Sequence, residues 1–543
     1  MEIEHTEWDN KPPVASEYVR RFERVAALFE YDPRDPNAGH RRAEWLDRAR
    51  PRLVDRKEIA VAVAAFNRRI GNSPLAIAHA ESLADPQTLA VVGGQQAGLF
   101  TGPLLVWHKA ITIVAEARRR QVELGRPVVP VFWIAGEDHD WEEIDHTYLL
   151  GPEADVREIR LARANEGRTS ASLTEVSEKA WADAVAAMRA LLPDTEHKRA
   201  IVELLEEACS RPITPVEAFA RLMARLFGDV GLVLIDSADP ALRRAESAAF
   251  GLLVEQNERV EAALAEGLNA VGKAGFEPSI EIEPGRANLF WVTDSARLAL
   301  FRSGDRFHDC RGTISFARKQ LQEQVALHPE RLSNNVVTRP WMQDAVLPVV
   351  AAVLGPSEIS YWAALKPVFS VLGGQMPLVV PRLEFTLVDD AAAKRMRRFG
   401  LAFSDVVTRL EQKYAEWWRA RDQYRFRERL EKAARDVGVW LEPIVRDAER
   451  LDPGLRKSAE RALRRVRREF ERLAAKAERA ALDRDEAARF GWMYVRSLLL
   501  PLGRPQERVL NGWMFVNKWG KQWIRGLIEA ELPRDGRHWI VRI

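Results

Sequence analysis

Residues 91–145 constrain the fold more than any other part of the 543-residue sequence. A short β-branched run enters the turn GGQQAGLFTGP, an apolar-striped helical segment follows, and the apolar run 128–134 leads into the acidic loop GEDHDWEEID. Strand, turn, helix and strand in this order predict a βαβ unit with two parallel strands. In open α/β sheets, ligands bind beyond the carboxyl ends of the strands, where the turn and the loop both fall. This stretch is therefore predicted to form one wall of a functional site.

The strand and helix patterns return later in the chain, so the sheet is expected to extend beyond this unit. Residues 231–236 form an apolar run that ends in an acid, and polar residues cluster again at the ends of short apolar runs after residue 333. Residues 150–215 lose the alternation and predict an insertion between sheet strands. Residues 277–310 are strand-like around turns. A chain of this length exceeds one hydrophobic core, so several substructures are expected.

A charged, glycine-poor stretch, residues 404–485, predicts an antiparallel pair of long helices separated near Pro443 and Pro453-Gly454. Its acid-interrupted arginines lack an aromatic platform, which favours a solvated coiled-coil flank over a nucleic-acid surface. A layer of a helical bundle is the alternative. In the second helix the apolar residues follow the 4-3 spacing of a coiled coil: Leu455, Ala459, Ala462, Val466, Phe470, Leu473, Ala477 and Ala480.

These patterns predict an α/β fold with a parallel-sheet core, insertions and a long helical hairpin. The predicted segments are a helical layer of the core over 1–88, the first part of the core over 89–149, an insertion over 150–215, the continued core over 216–403 with an insertion near 277–330, the coiled coil over 404–485, and a C-terminal segment over 486–543 that packs on the core.

Composition excludes several classes of protein. The formal net charge is +2, because 81 basic residues nearly balance 79 acidic ones, and this gives no argument for a nucleic-acid partner. No apolar run is long enough to span a bilayer, and the acidic, polar start is unlike a signal peptide, so we expect a cytoplasmic protein. Two cysteines, Cys209 and Cys310, exclude a disulfide framework and any all-cysteine metal site.

The glycine-rich turn is the first candidate binding element. Gln95, Gln96 and a helix start at Thr101 could cradle a phosphate or a carboxylate with backbone N–H groups. The turn matches neither standard nucleotide fingerprint. A structural turn with surface glutamines is the alternative.

The acidic loop is the second candidate. Glu137, Asp138 and His139 suit a general base or an amine-binding group near neutral pH. A divalent metal site is less favoured, because the spacing matches no standard ligand pattern, and we predict no metal ligands. A solvated acidic loop is the alternative.

Later polar clusters supply further candidates. Asn334 and Asn335 precede a predicted strand that ends at Arg339, whose planar guanidinium could clamp a carboxylate or phosphate. An ordinary ion pair is the alternative for this arginine. Glu358 and Tyr361 follow a Gly-Pro turn and suit a sugar, whose ring an aromatic face could cover; core aromatics are the alternative.

Two clusters lie nearer the C-terminus. Arg382 follows an apolar strand and is a candidate binding residue, although it could simply pair with Glu384. The polar segment 505–511 lies in an apolar tail and is predicted to contact either the site or the helical hairpin.

Five segments together resemble the cysteine-adding enzyme family of bacillithiol biosynthesis: GQQAGLFTGPL, PVFWIAGEDHDWEEIDH, LSNNVVTRPWMQDAVLPVVAAVLGPSEISYWAALKPVF, PLVVPR and PQERVLN. The resemblance runs over essentially the whole chain. It implies a Rossmann-like core with connective insertions, a coiled coil that mediates homodimerisation, and a ligase that joins L-cysteine to the amine of glucosaminyl-malate. The family commonly has Thr where this chain has Gly93.

The resemblance also implies roles for the candidate residues. Glu137, Asp138 and His139 would hold or deprotonate the glucosamine amine, and Gln95, Gln96 and Thr101 would bind the anionic nucleotide or malate. Arg339 and Lys366 are candidates for the malate carboxylates, and Tyr361 for the sugar.

The cofactor is open at this point. A free carboxylate does not acylate an amine without activation, so we expect cysteine to be activated, most plausibly as an adenylate from ATP with Mg. The H-x-G-H and K-M-S-K-S signatures of the analogous actinobacterial ligase are absent. An ATP-dependent ligase or nucleotidyltransferase acting on another small substrate, and a non-enzymatic coiled-coil scaffold, are the competing classes.

Overall fold

Five parallel strands form the central sheet of the protein. A computed structural model describes residues 1–8, 10–48, 53–163, 167, 169–281, 283–421, 425–482 and 485–543. The chain divides into two compact units. The first comprises Met1–Leu150, Val156–Leu387 and Arg504–Ile543, and the second comprises Gly151–Asp155 and Val388–Gly503.

The strands are β1 (Glu2–Thr6), β2 (Leu89–Gln95), β3 (Val128–Ile134), β4 (His146–Leu150), β5 (Val156–Arg160), β6 (Val233–Asp236), β7 (Arg286–Val292), β8 (Arg297–Ser303), β9 (Arg306–Asp309), β10 (Ser315–Ala317), β11 (Leu332–Asn334), β12 (Val349–Leu354), β13 (Leu378–Pro381), β14 (Glu384–Val388) and β15 (His538–Arg542).

The helices are α1 (Pro13–Arg20), α2 (Ala38–Arg48), α3 (Arg56–Arg69), α4 (Pro74–Ser82), α5 (Leu104–Leu124), α6 (Glu178–Leu191), α7 (Lys198–Ala208), α8 (Pro215–Phe227), α9 (Pro240–Ala245), α10 (Ser247–Glu255), α11 (Asn257–Lys273), α12 (Arg318–Leu327), α13 (Arg339–Val346), α14 (Pro356–Trp362), α15 (Lys366–Val371), α16 (Asp390–Phe399), α17 (Phe403–Arg419), α18 (Phe426–Leu451), α19 (Leu455–Leu482), α20 (Glu486–Leu499), α21 (Trp513–Trp519) and α22 (Gln522–Glu529).

The central sheet has the strand order β13-β12-β2-β3-β6. The pairing of β2 with β3 is parallel, from Leu89 opposite Val128 to Gln95 opposite Ile134, which confirms the predicted βαβ unit. The chain moves from β2 to β3 and β6 on one side and later returns to β12 and β13 on the other. The order therefore reverses between β2 and β12, the place where Rossmann-like sheets bind their ligands.

Burial explains why these segments are strands and why helices cover both sheet faces. Every residue of β3 (VVPVFWI) is buried, as expected of a parallel strand packed on both sides. Gly94, near the end of β2, lies so close to β3 that a Cβ would overlap the carbonyl oxygen of Trp133. The close packing of β2 against β3 therefore depends on the absence of a side chain here.

Residues 286–334 form a second, antiparallel sheet with the order β10-β9-β8-β7-β11. Within the stretch 277–310, where the sequence predicts strands around residues 280–282, 288–292 and 299–302, the last two are confirmed as β7 and part of β8. No strand includes residues 280 and 281, and residue 282 lies outside the described residues. The predicted strand between Asn335 and Arg339 is wrong. The chain turns after β11, because the Asn335 side chain accepts from the N–H groups of Val337 and Thr338, and α13 then begins.

In the second unit, α18 and α19 pack along each other as the long helices of the predicted hairpin. Only one of the two predicted breaks is present between them, at residues 452–454. Pro443 lies inside α18, so that prediction was wrong. A proline removes one backbone donor from a helix, and a long helix can continue past this local defect. The side chain of Ala480, the last of the predicted 4-3 positions, lies outside the described residues.

We predict that Gly94→Ala lowers the free energy of unfolding by about 1–3 kcal/mol, because a methyl group would push β2 away from β3. Gly272→Ala is the matched control: this glycine lies in α11 with no atom within 4 Å of a Cβ, and alanine favours a helix by about 1 kcal/mol. Urea unfolding of both variants measures the difference. Equal stability of the two variants would contradict the packing argument.

Candidate active site

A cavity of about 300 Å³ lies in the first unit at the carboxyl ends of β2, β3, β12 and β13. Its position is the reversal point of the sheet, as the strand-end clusters predicted. Seven of the predicted site residues line it: Gln95, Gln96, Asp138, Arg339, Glu358, Tyr361 and Arg382. Lys109 and Glu143, which were not predicted, also line it, as does Arg508 from the segment 505–511 that was predicted to contact either the site or the hairpin.

Two carboxyl groups of the cavity lining share one amide. Gln96 Nε2 donates to Asp138 Oδ2 at 3.0 Å and also to Glu143. Burial raises the pKa of Asp138, but the bond from Gln96 and the charge of Arg297 outweigh it, so this pKa lies below its ordinary value. Burial raises the pKa of Glu143, and the negative charges of Asp140 and Asp138 raise it further. The hydrogen bond from Gln96 acts in the opposite direction and lowers this pKa. The two carboxyl groups therefore differ in acidity although they share one amide.

Two arginines line the same cavity. Arg339 donates to Tyr361 Oη at 2.7 Å, and its buried Nε has no hydrogen-bond partner among the described residues. Arg508 extends into the same space from the C-terminal segment. Within the described part of the chain neither arginine forms an ion pair with a carboxylate. A cavity with two unpaired guanidinium groups is suited to an anionic ligand.

Arg382 differs from these two arginines because its charge is already neutralised. Glu507 accepts from both terminal nitrogens of Arg382, at 2.7 and 2.5 Å, and Glu384 lies farther away at 3.6 Å. His108 Nδ1 bonds to the same Glu507 at 2.8 Å, and burial lowers the pKa of this histidine. The predicted pair with Glu384 is therefore the weaker contact, and Arg382 is positioned chiefly by Glu507.

Lys109 is a buried lysine that connects the two sides of the reversal point. Its Nζ donates to Gly94 O at 2.6 Å, to Gln95 Oε1 at 3.0 Å and to Glu358 Oε2 at 2.5 Å. Three acceptors satisfy the three donors of an ammonium group, so this lysine orients Gln95 and Glu358 and has no lone pair for a nucleophilic role. The sequence signal was a lysine within the apolar stripe of a helix.

Glu137 and His139 do not line the cavity, although both flank Asp138. Glu137 accepts from Arg243 at 2.5 Å and from Ser333 at 2.8 Å in a buried cluster. His139 Nδ1 lies 3.3 Å from a nitrogen of Arg297. The tight turn after β3 sends consecutive side chains in different directions, so only one of the three predicted catalytic residues lines the cavity.

Three further predicted residues lie elsewhere. Asn334 is buried with no hydrogen-bond partner for its side chain among the described residues, and Asn335 Nδ2 donates to Asn288 at 2.8 Å. Lys366 donates to Phe29 O at 2.9 Å and lines a separate surface groove. None of the three lines the cavity.

The turn that contains Thr101 is held in place by contacts with other parts of the chain. Thr101 is fully buried and accepts from Trp107 Nε1 at 2.8 Å; α5 begins after Pro103, with no side-chain cap. Other groups already bind the N–H of Leu99, which donates to Ile144 O, and the N–H of Leu104, which donates to Leu510 O. These backbone donors are therefore not free to bind an anion.

The same turn is strained and held in place by the C-terminal segment. Phe100 and Thr101 have φ values of 49° and 75°, which cost about 1–3 kcal/mol each for residues other than glycine. Asn511 Nδ2 donates to Phe100 O and Gly102 O, both at 3.0 Å, and Trp513 Nε1 donates to Phe100 O at 3.1 Å. The C-terminal segment thus fixes the turn that connects β2 to α5.

Comparison with known proteins agrees with this architecture. The model of the bacillithiol biosynthesis BshC N-terminal Rossmann-like domain matches residues 1–383, and that of the BshC C-terminal coiled-coil domain matches residues 385–543. A protein of Geobacillus kaustophilus named "Putative cysteine ligase BshC" is 35% identical over 100% of both chains. Proteins of the same name from Bacillus cytotoxicus and Symbiobacterium thermophilum are 32% and 35% identical and cover 98% and 95% of this chain and of their own length.

We predict that Lys109→Met destabilises the fold by about 1–3 kcal/mol, because it leaves the largely buried Glu358 carboxylate without its cation. The double variant Lys109→Met/Glu358→Gln should recover about 1 kcal/mol relative to the sum of the single changes. Lys366→Met, which removes a lysine outside the cavity, is the control. Chemical denaturation measures the wild type, Lys109→Met, Glu358→Gln, the double variant and the control, and strictly additive effects would contradict the proposed Lys109–Glu358 coupling.

Proposed function

The chain belongs to the BshC family of bacillithiol biosynthesis and is a carbon–nitrogen bond-forming ligase, and on this premise we propose that it joins the carboxyl group of L-cysteine to the amine of glucosaminyl-malate. The product would be an amide, and the step would complete bacillithiol.

One observation supports this substrate above all: the lining of one small cavity carries groups of both charges. Asp138 and Glu143 supply carboxylates, and Arg339 and Arg508 supply guanidinium groups that form no ion pair among the described residues. Glucosaminyl-malate has the matching charges, an ammonium group on the sugar and two carboxylates on the malate. Charge complementarity of this kind fixes the orientation of a ligand as well as its affinity.

The remaining lining residues suit the sugar between these charges. Glu358 Oε2 is occupied by Lys109 and by the N–H of Gly355, which fixes the carboxylate in one orientation. Its other oxygen and the phenol of Tyr361 are then available to sugar hydroxyls. Arg382 also lines the cavity, but its charge is neutralised by Glu507, so we do not assign it to a substrate carboxylate.

The cysteine carboxyl group must carry a leaving group before the amine can attack it. We propose an acyl adenylate formed from ATP with Mg, because adenylation supplies a good leaving group without a covalent enzyme intermediate. The amine, held by Asp138 and Glu143, would then attack the activated carbonyl carbon. Fixing both reactants in one small cavity lowers the entropic part of the barrier.

We predict that the purified protein forms bacillithiol from L-cysteine, glucosaminyl-malate and Mg-ATP, as detected by mass spectrometry. Arg339→Met and Arg508→Met should each raise the KM for glucosaminyl-malate by about 10-fold or more, since each removes a charged hydrogen bond of about 1.5–3 kcal/mol. The KM for methyl glucosaminide, which lacks malate, should not change in these variants.

Lys366→Met is the control for these arginine variants, because its side chain lies outside the cavity. If the wild-type protein gives no product, the proposed function is wrong. If it gives product but both arginine variants keep the wild-type KM, the proposed orientation of the malate is wrong.

We also propose that the protein forms a homodimer through its coiled coil. Several apolar side chains of α18 are exposed in the single chain, among them Val439 at 70% and Trp440 at 69%. Clustered exposed apolar residues mark interaction surfaces in proteins.

Separately, no described helix is both long and apolar enough to cross a membrane.

We predict that light scattering gives twice the chain mass of 61.6 kDa for the wild type and a lower mass for Trp440→Glu, because a buried charge would disrupt the helical interface. Val122→Glu, at an exposed apolar position on α5, is the control. A wild-type protein that is monomeric at micromolar concentration contradicts the proposal.

A further inference from the structure

Two carboxylates in the cavity share the side chain of one glutamine. Gln96 Nε2 donates one hydrogen to Asp138 Oδ2, at 3.0 Å, and one to Glu143 Oε2. An amide has two such hydrogens, and each carboxylate takes one. Gln96, which directly follows β2, therefore connects the two acids in the cavity lining.

The remaining contacts of the two acids differ. Asp138 Oδ1 accepts the backbone N–H of His139 at 2.8 Å and lies 3.7 Å from Arg297. Glu143 accepts no hydrogen bond other than that from Gln96 among the described residues. Asp138 is therefore stabilised as an anion, while Glu143 keeps an oxygen free to take a proton.

The charges around Glu143 act in the same direction. Partial desolvation raises the pKa of Glu143, the negative charges of Asp140 and Asp138 raise it further, and the bond from Gln96 opposes them. Lys109, which also lines the cavity, is engaged by Glu358, and Arg297 lies on the side of Asp138. Two neighbouring acids whose pKa values are shifted in opposite directions are the usual arrangement of an acid–base site.

We infer that Glu143 is the general base that takes a proton from the substrate ammonium group, while Asp138 stays ionised and holds that ammonium in place. This assignment rests on the proposed function and adds to it a residue that neither the sequence patterns nor the family resemblance singled out. In this assignment the two acids of the loop have different roles: Asp138 binds the ammonium group and Glu143 takes its proton.

The ammonium gives one proton to the Glu143 carboxylate, which becomes a carboxylic acid. The nitrogen lone pair forms the C–N bond to the carbonyl carbon of an activated cysteine, of the acyl phosphate or acyl adenylate class. The bond from that carbon to the phosphate oxygen breaks with its electron pair, and the departing oxygen takes the second proton. Glu143 then releases its proton to solvent.

The test compares Glu143→Gln with Asp138→Asn in steady-state assays of amide formation. Glu143→Gln should lower kcat by about 10²–10⁴-fold at neutral pH with little change in the KM for the amine, because general-base catalysis is worth this much. Its kcat should rise steadily with pH where the wild type reaches a plateau. Asp138→Asn should mainly raise the KM for the amine.

Hydroxylamine separates a catalytic role from a structural one. It is largely unprotonated at neutral pH and needs no base, so Glu143→Gln should react with it at nearly the wild-type rate. Glu143→Asp, which keeps the carboxylate, should recover part of the lost kcat with glucosaminyl-malate. Thermal unfolding checks that all variants are folded.

Each outcome decides the question. A wild-type plateau in the pH profile of Glu143→Gln, or an equal loss with hydroxylamine and with glucosaminyl-malate, overturns the inference. If the plateau of kcat at high pH is lost in Asp138→Asn but kept in Glu143→Gln, the general base is Asp138 and not Glu143. Absence of product with the wild-type protein contradicts the proposed function itself, which separates the two failures.

Discussion

The close approach of β2 to both of its neighbours is the constraint on which the rest of the structure depends. Gly94 packs against the carbonyl of Trp133 on β3, and a Cβ on Gly93 would lie 2.9 Å from the carbonyl of Val353 on β12. Gly93 thus lies against β12, at the place where the strand order reverses. Lys109 then connects the two sides of this seam through Gln95 and Glu358.

The C-terminal segment completes a site whose other walls come from the sheet. Glu507 neutralises Arg382, Arg508 adds a cation, and Asn511 holds the strained turn after β2. Because Arg382 and Lys109 are both paired with carboxylates, the unpaired positive charge of the cavity is confined to two arginines. The charge pattern of the site thus depends on residues up to about four hundred positions apart in the chain.

Much of the fold follows from local patterns, but the direction of each side chain does not. The apolar runs and their polar ends predicted the parallel strands and the edge at which the cavity lies. Asp138 lines the cavity, whereas its neighbours Glu137 and His139 bond to arginines outside it. Their chemistry made all three plausible, and only the turn geometry distinguishes them. Thr101 is a similar case, because its turn is bound by distant backbone groups.

The sequence by itself determined the βαβ unit, the insertions, the long helices and the set of polar segments that meet at the strand ends. These features depend on periodicity and on turn-forming residues, which act over a few positions. Only the tertiary structure decided which acids and arginines face one another, because burial and ion pairing are set by contacts between segments far apart in the chain. The sharing of Gln96 by Asp138 and Glu143 is the clearest example: it exists only once β2 and the loop after β3 lie side by side.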